Sequence, residues 1–190
     1  MMTAIHIPVM VREMLDGLAV RPGANYVDGT VGEGGHAEAI LEAGGGLLGI
    51  DRDPGALAVA SERLSPYSDR VTLVEGNYVD MAAICRRNGF APVDGILLDL
   101  GVSSFQLEHG RRGFSFSREG PLDMRFSPTD TLTADEIVNG YREEELADVI
   151  WRFGEERRSR RIARCIVEQR PILTTTQLAR VVEQAVGKRG

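Results

Sequence analysis

Eleven residues, Tyr26-Val27-Asp28-Gly29-Thr30-Val31-Gly32-Glu33-Gly34-Gly35-His36, constrain this chain more than any other stretch. A short apolar run from Ala24 to Val27 reads as a buried strand that breaks into a turn with four glycines, which can take φ > 0 or let a ligand approach the backbone. Beyond the turn, Ala37, Ile40 and Leu41 recur at helical spacing. The first N–H groups of that helix therefore face the turn and favour an anionic or polar group there. Two readings fit the loop by itself: a ligand cradle, or a tight strand-to-helix connection that binds nothing.

The chain around the loop keeps one rhythm. Pro8 makes its neighbourhood extended, and Met10, Met14, Leu15 and Leu18 mark a helix that ends at Arg21-Pro22-Gly23. After the glycine turn and its helix, Gly44-Gly45-Gly46 is a flexible stop before a second strand, Leu47 to Asp51. Asp53-Pro54 restarts a helix, with Asp53 as N-cap and Pro54 in the first helical position. Val71 to Glu75 is a third strand, Met81 to Arg87 a short helix, and Val93 to Asp99 a fourth strand, apolar enough to be buried on both faces. Strands alternating with helices predict a parallel sheet with right-handed crossovers, whose ligands sit outside the carboxyl ends of the strands. Asp28, Asp51, Asn77-Tyr78 and Asp99 all fall there.

Past Asp99 the character changes. Residues 101–128 have little periodicity but carry Phe105, Phe114, Phe116 and Phe126, as an ordered functional loop would; Phe114 and Phe116 alternate like a short strand packing on the core, with one of them or Phe105 available to stack on a base. From Thr133 the chain reads as helical, with capping-box spacing at Thr133/Glu136 and Thr174/Gln177 and breaks near Gly154 and Pro171. The expected organisation is an α/β domain over 1–128 followed by a helical module over 129–190.

With 190 residues, 43% of them hydrophobic, the chain can bury a proper core. A net charge of −6 argues against a wholly basic nucleic-acid coat but leaves room for a local basic face. Cys85 and Cys165 read as free thiols in a reducing compartment, with no metal-ligand spacing, and no stretch approaches a membrane span. The expected compartment is the cytoplasm.

Two cofactor classes compete for the cradle. Gly32, Gly34 and Ala37 satisfy G-x-G-x-x-A, with Asp51 nearly twenty residues later, as an NAD site requires. An S-adenosylmethionine site uses the same ribose carboxylate and benefits from carboxylates near its ammonium and sulfonium. Asp28, Glu33, Asp51 and Asp99 make this rim acidic, which favours the methyl donor over a diphosphate.

Seven blocks in order then carry a family resemblance. They are His6-x-Pro8-Val9, Asp28-Gly29-Thr30-x-Gly32-x-Gly34-Gly35-His36, Asp51-Arg52-Asp53-Pro54, Asp94 to Ser104, Arg112-Gly113-Phe114-Ser115-Phe116, Gly120 to Arg125, and Ser159-Arg160-Arg161-Ile162-Ala163. Together they resemble the bacterial 16S ribosomal RNA cytosine-N4-methyltransferases, the RsmH or MraW family, over essentially the whole chain. The resemblance implies an α/β, class I S-adenosylmethionine-dependent methyltransferase fold, Rossmann-like with a mostly parallel sheet and an inserted helical module. It also implies methylation of a decoding-centre cytidine in the small ribosomal subunit. Carried over by position, it gives cofactor contacts from Gly34, Gly35, His36, Asp51, Tyr78, Asp99 and Gln106. Amino-group methyltransferases commonly carry a polar-Pro-Pro-aromatic segment after the fourth strand; Asp99-Leu100-Gly101-Val102-Ser103-Ser104 stands there instead, so Asp99 and nearby backbone carbonyls are the expected acceptors for the amine hydrogens. The family commonly has Pro where Phe105 stands and a basic residue where Glu33 stands. It also continues beyond this chain to complete its sheet, so four strands are expected here and the sheet is expected to be incomplete.

RNA contacts are expected from Arg112, Arg125, Arg160 and Arg161, with Arg111, Arg118, Arg157, Arg158 and Arg164 adding charge to the same half. The rival classes are a catalytically impaired cofactor- and RNA-binding protein, and an NAD-dependent oxidoreductase.

Overall fold

The computed structural model describes residues 8–103, 106–107 and 112–187. By packing, the chain divides into two compact units, residues 1–101 and 102–190.

The first unit runs α1 (Val11–Gly17), β1 (Asn25–Asp28), α2 (Gly35–Glu42), β2 (Gly46–Asp51), α3 (Pro54–Arg63), β3 (Val71–Glu75), α4 (Met81–Arg87) and β4 (Gly95–Leu97). All pairings are parallel and the strand order is β3-β2-β1-β4. Side-chain alternation explains how the sheet is covered. Tyr26 pairs with Leu47 and Val27 with Leu48. Tyr26 and Leu47 pack into a cluster with Ala37, Ile40, Leu41 and Leu64, whereas Val27 and Leu48 pack with Ile50, Ile84 and Cys85. Successive residues of a strand thus supply opposite faces, one covered from α2 and α3 and the other from α4. Asp53 caps α3 as its sequence predicts, its Oδ1 accepting the Gly55 N–H at 2.9 Å.

The fourth strand departs from expectation. It is shorter than Val93 to Asp99, and it is not buried on both faces: Ile96 is 50% and Leu98 43% exposed. Its apolar sequence matches a central strand, and among the described residues it pairs with β1 alone, at one side of the sheet, as an incomplete sheet would have it.

In the second unit, α5 (Glu143–Gly154), α6 (Ser159–Glu168) and α7 (Thr175–Val186) enclose Leu146, Ile162, Ile166, Val181 and Ala185. Both sequence-predicted capping boxes form, at Thr133/Glu136 and Thr174/Gln177. After the first of them the chain makes a π-helical turn, Glu136–Gly140, and breaks before α5. The loop ahead of these helices is ordered against them. Leu122 enters their core, Thr175 N–H donates to the Gly120 carbonyl at 3.0 Å, and the Thr175 hydroxyl donates to the Arg118 carbonyl at 2.9 Å. Phe114 is buried and its ring lies 5.2 Å from that of Phe126, but Phe116 is 77% exposed rather than packed. No helix of the described residues is long and apolar enough to cross a membrane.

Candidate cofactor site

The carboxyl ends of the four strands hold six of the residues singled out from sequence: Gly34, Gly35, His36, Asp51, Tyr78 and Asp99. The turn after β1 extends the sheet at both sides, because Gly29 N–H donates to the Leu97 carbonyl and Val31 N–H to the Ile50 carbonyl, each at 3.0 Å. Asp51, ending β2, reaches under the turn: its Oδ2 accepts the Gly32 N–H at 2.8 Å and its Oδ1 the Asp53 N–H at 2.9 Å. Each oxygen keeps a further lone pair, so the carboxylate can still accept from hydroxyls of a ligand.

Gly34 caps α2 at φ 84°, and a Cβ there would meet Leu64. A Cβ on Gly35 would press on the Pro8 ring. Gly34 is therefore favoured by its left-handed backbone before any ligand is considered, and a side chain at Gly35 would need the Pro8 ring to give by a few tenths of an ångström. The neighbouring His36 is held by the same N-terminal segment, its Nε2 lying 2.9 Å from the Val9 carbonyl. A carbonyl only accepts, so Nε2 carries a proton and Nδ1 faces Asp99, 3.8 Å from Oδ2. Tyr78 begins a 3₁₀ turn after β3 and leaves 38% of its surface open, with Asn77 capping that turn.

Asp28 and Thr30 form a buried hydrogen-bonded pair at this end of the sheet, and the sequence reading does not single out Thr30. Asp28 is only 2% exposed, and its Oδ1 accepts the Thr30 N–H at 3.0 Å and the Thr30 hydroxyl at 3.3 Å. Burial pushes its carboxyl up to about 6; the Thr30 hydrogen bonds and the charge of His36 oppose the rise and Asp51 adds to it. The Asp-x-Thr spacing of an Asx turn was the available signal.

The remaining candidates belong to the second unit. Gln106 is buried there, its Oε1 accepting the Ser103 N–H at 3.0 Å. Arg112 donates to the carbonyls of Arg125 and Phe126 at 3.0 and 2.9 Å. Arg125 grips both oxygens of Asp123, at 2.8 and 2.9 Å, and the carbonyls of Pro128 and Asp130. That guanidinium holds the Asp123 carboxyl below its ordinary range. Arg112 and Arg125 thus brace the loop from within, whereas Arg160 and Arg161 are exposed on α6. His6, Phe105 and Arg111 lie outside the described residues. Among the described residues no three His, Cys, Asp or Glu side chains are grouped to hold a metal ion.

Comparison with known proteins adds an independent line. A family model described as the MraW methylase family matches residues 3–189. A protein of Dehalococcoides mccartyi named ribosomal RNA small subunit methyltransferase H is 56% identical over 187 residues, covering 97% of this chain and 54% of its own length. One of the same name from Symbiobacterium thermophilum is 49% identical, covering 95% of this chain and 59% of its own. The chain spans somewhat over half the length of these curated relatives. Among solved structures, an rRNA methylase from Streptococcus thermophilus is 22% identical with a TM-score of 0.42, over 56% of this chain and 62% of that one.

Proposed function

The chain belongs to the MraW methylase family, and from that premise we propose that it transfers a methyl group from S-adenosylmethionine to the exocyclic N4 amine of a decoding-centre cytidine in 16S ribosomal RNA. Its expected setting is the small ribosomal subunit in the cytoplasm. One observation carries the reading: Gly34, Gly35, His36, Asp51, Tyr78 and Asp99 converge at the carboxyl ends of adjacent parallel strands, where open α/β sheets bind their ligands.

S-adenosylmethionine is the family's cofactor, and when bound it supplies an electrophilic methyl group on a sulfonium. The residues present fit it. Asp51 retains acceptor capacity for ribose hydroxyls, the open face of Tyr78 can flank an adenine, and the acidic rim favours a cationic ligand. A cytosine amine is a weak nucleophile because its lone pair is delocalised into the ring. The Asp99 carboxylate, 66% exposed and beside the turn, is the proposed acceptor of an amine hydrogen, which returns electron density to nitrogen. Its backbone N–H is fixed to the Thr30 hydroxyl at 2.8 Å, so the strand end that carries it is held in place.

A second reading is a protein that binds cofactor and RNA without turnover. Methyl transfer to small ribosomal subunits, run beside a full-length relative and beside its variant at the position of Asp99→Asn, separates the two. Turnover by this chain is expected. Its absence while S-adenosylhomocysteine still binds supports the second reading, and binding of NAD in place of S-adenosylhomocysteine overturns both. Full turnover by the Asp99→Asn variant removes Asp99 from the role of acceptor.

A further inference from the structure

Trp151 stands out in the second unit. It lies in the last turns of α5 and is 53% exposed, although an indole is a residue that folding ordinarily hides. Phe153, in the same turn, is 84% exposed. The chain then reverses through Glu155, in the left-handed conformation, and starts α6 at Ser159. Between residues 151 and 164 there are six arginines against two glutamates, in a chain whose net charge is −6.

The helices place this charge beside the indole. Arg164 Nε on α6 is 3.6 Å from Glu143 Oε1 on α5. Glu143, Ala147 and Trp151 follow one another at i, i+4, i+8 along one side of α5, so Trp151 is about 12 Å along the helix from that ion pair. Arg164 and Arg160 step back along α6 in the same direction, with Arg160 about 6 Å along the helix from the pair, and Arg157 is exposed in the turn that precedes α6. The hairpin therefore places Trp151 and the exposed Arg157 and Arg160 at one and the same end, where α5 gives way to α6. Arg152 is committed elsewhere, to Asp148 at 2.9 Å.

We propose that Trp151 and the arginines Arg157 and Arg160 form a platform for single-stranded RNA, with a base stacking on the indole and the guanidiniums on flanking phosphates. An aromatic face gives sequence-tolerant stacking, and adjacent arginines give the salt-dependent share of affinity. Charge selects this occupant over a second copy meeting it tip to tip, because two such basic tips would repel. The inference rests on the reading of the substrate as RNA, and it adds a contact that is independent of the cofactor site.

Trp151 is the chain's one tryptophan, so indole emission reports this site alone. A single-stranded RNA dodecamer, followed in parallel by indole emission and by anisotropy of a labelled version, tests the platform. Emission is expected to be quenched over the same concentrations at which anisotropy rises. Trp151→Ala is expected to weaken binding by about 5- to 100-fold, with Trp151→Phe recovering most of it, and Arg157→Ala to reduce the salt slope by about one. S-adenosylhomocysteine affinity stays unchanged in all three. Rising anisotropy with unquenched emission and an unaffected Trp151→Ala overturns the platform while leaving RNA as substrate. Flat anisotropy, together with no binding to small subunits, overturns the RNA reading itself. Emission that shifts with protein concentration in the absence of RNA assigns the face to self-association and overturns the proposal.

Discussion

The Asp99 backbone N–H donates to the Thr30 hydroxyl at 2.8 Å, and that hydroxyl donates in turn to Asp28 Oδ1 at 3.3 Å. One threonine therefore ties the end of β4 to the buried acid at the end of β1. The turn between β1 and α2 is a strut across the sheet as well as a connection, and it fixes where Asp99 stands relative to His36.

Thr30→Val keeps the shape of the side chain but strands the Asp99 N–H and removes one donor from Asp28. Loss of about 1 kcal/mol in unfolding free energy is expected by urea denaturation, because buried Asp28 loses one of its donors while the Asp99 N–H, at an exposed position, is left to water. Thr30→Ser retains the hydroxyl and is expected to lose less than half as much. Equal losses for the two variants would show that the methyl group, rather than the hydrogen bonds, matters here.

Asp28 makes stability depend on pH. Its carboxyl sits at about 6 in the folded chain against 3.8 in the reference state, so its contribution is fully present below about 3.8 and is lost as pH rises through about 6. The unfolding free energy carried by this one group is expected to fall by on the order of 3 kcal/mol between pH 4 and pH 8. Asp28→Asn keeps an acceptor for Thr30 N–H and removes the charge, so the variant is expected to be more stable than the parent at pH 8 and equal to it near pH 4. A parallel pH dependence in parent and variant would assign the effect to other groups.

Arg125 and the Arg160/Arg161 pair are expected to behave differently although all three read alike in sequence. Arg125→Ala frees Asp123 and the carbonyls of Pro128 and Asp130, and limited proteolysis is expected to cut faster within residues 123–130 while the salt dependence of RNA binding changes little. The double change Arg160→Ala/Arg161→Ala is expected to leave proteolysis alone and to lower the salt slope by about two. A steeper loss of RNA affinity from Arg125→Ala, with proteolysis unchanged, would move Arg125 to the interface.

Local patterns were legible in the sequence to a residue or two: β3, α4, the Asp53-Pro54 start of α3 and the Thr174/Gln177 capping box all stand where spacing put them. Each depends on neighbours within a few positions along the chain, which is what propensity, capping and periodicity measure. The carboxyl-end placement of Asp51, Tyr78 and Asp99 was legible for the same reason, because a strand's last residue is a local property. The tertiary structure decided what those residues do. Asp51 binds the Gly32 amide 19 residues away, Asp99 binds Thr30 across 69, and Arg125 turns inward onto its own loop. Burial and hydrogen-bond partners are set by which segments meet in space. The same aspartate is therefore a cap, a raised-pKa acid or an open acceptor according to its surroundings, and the sequence supplies only the carboxylate.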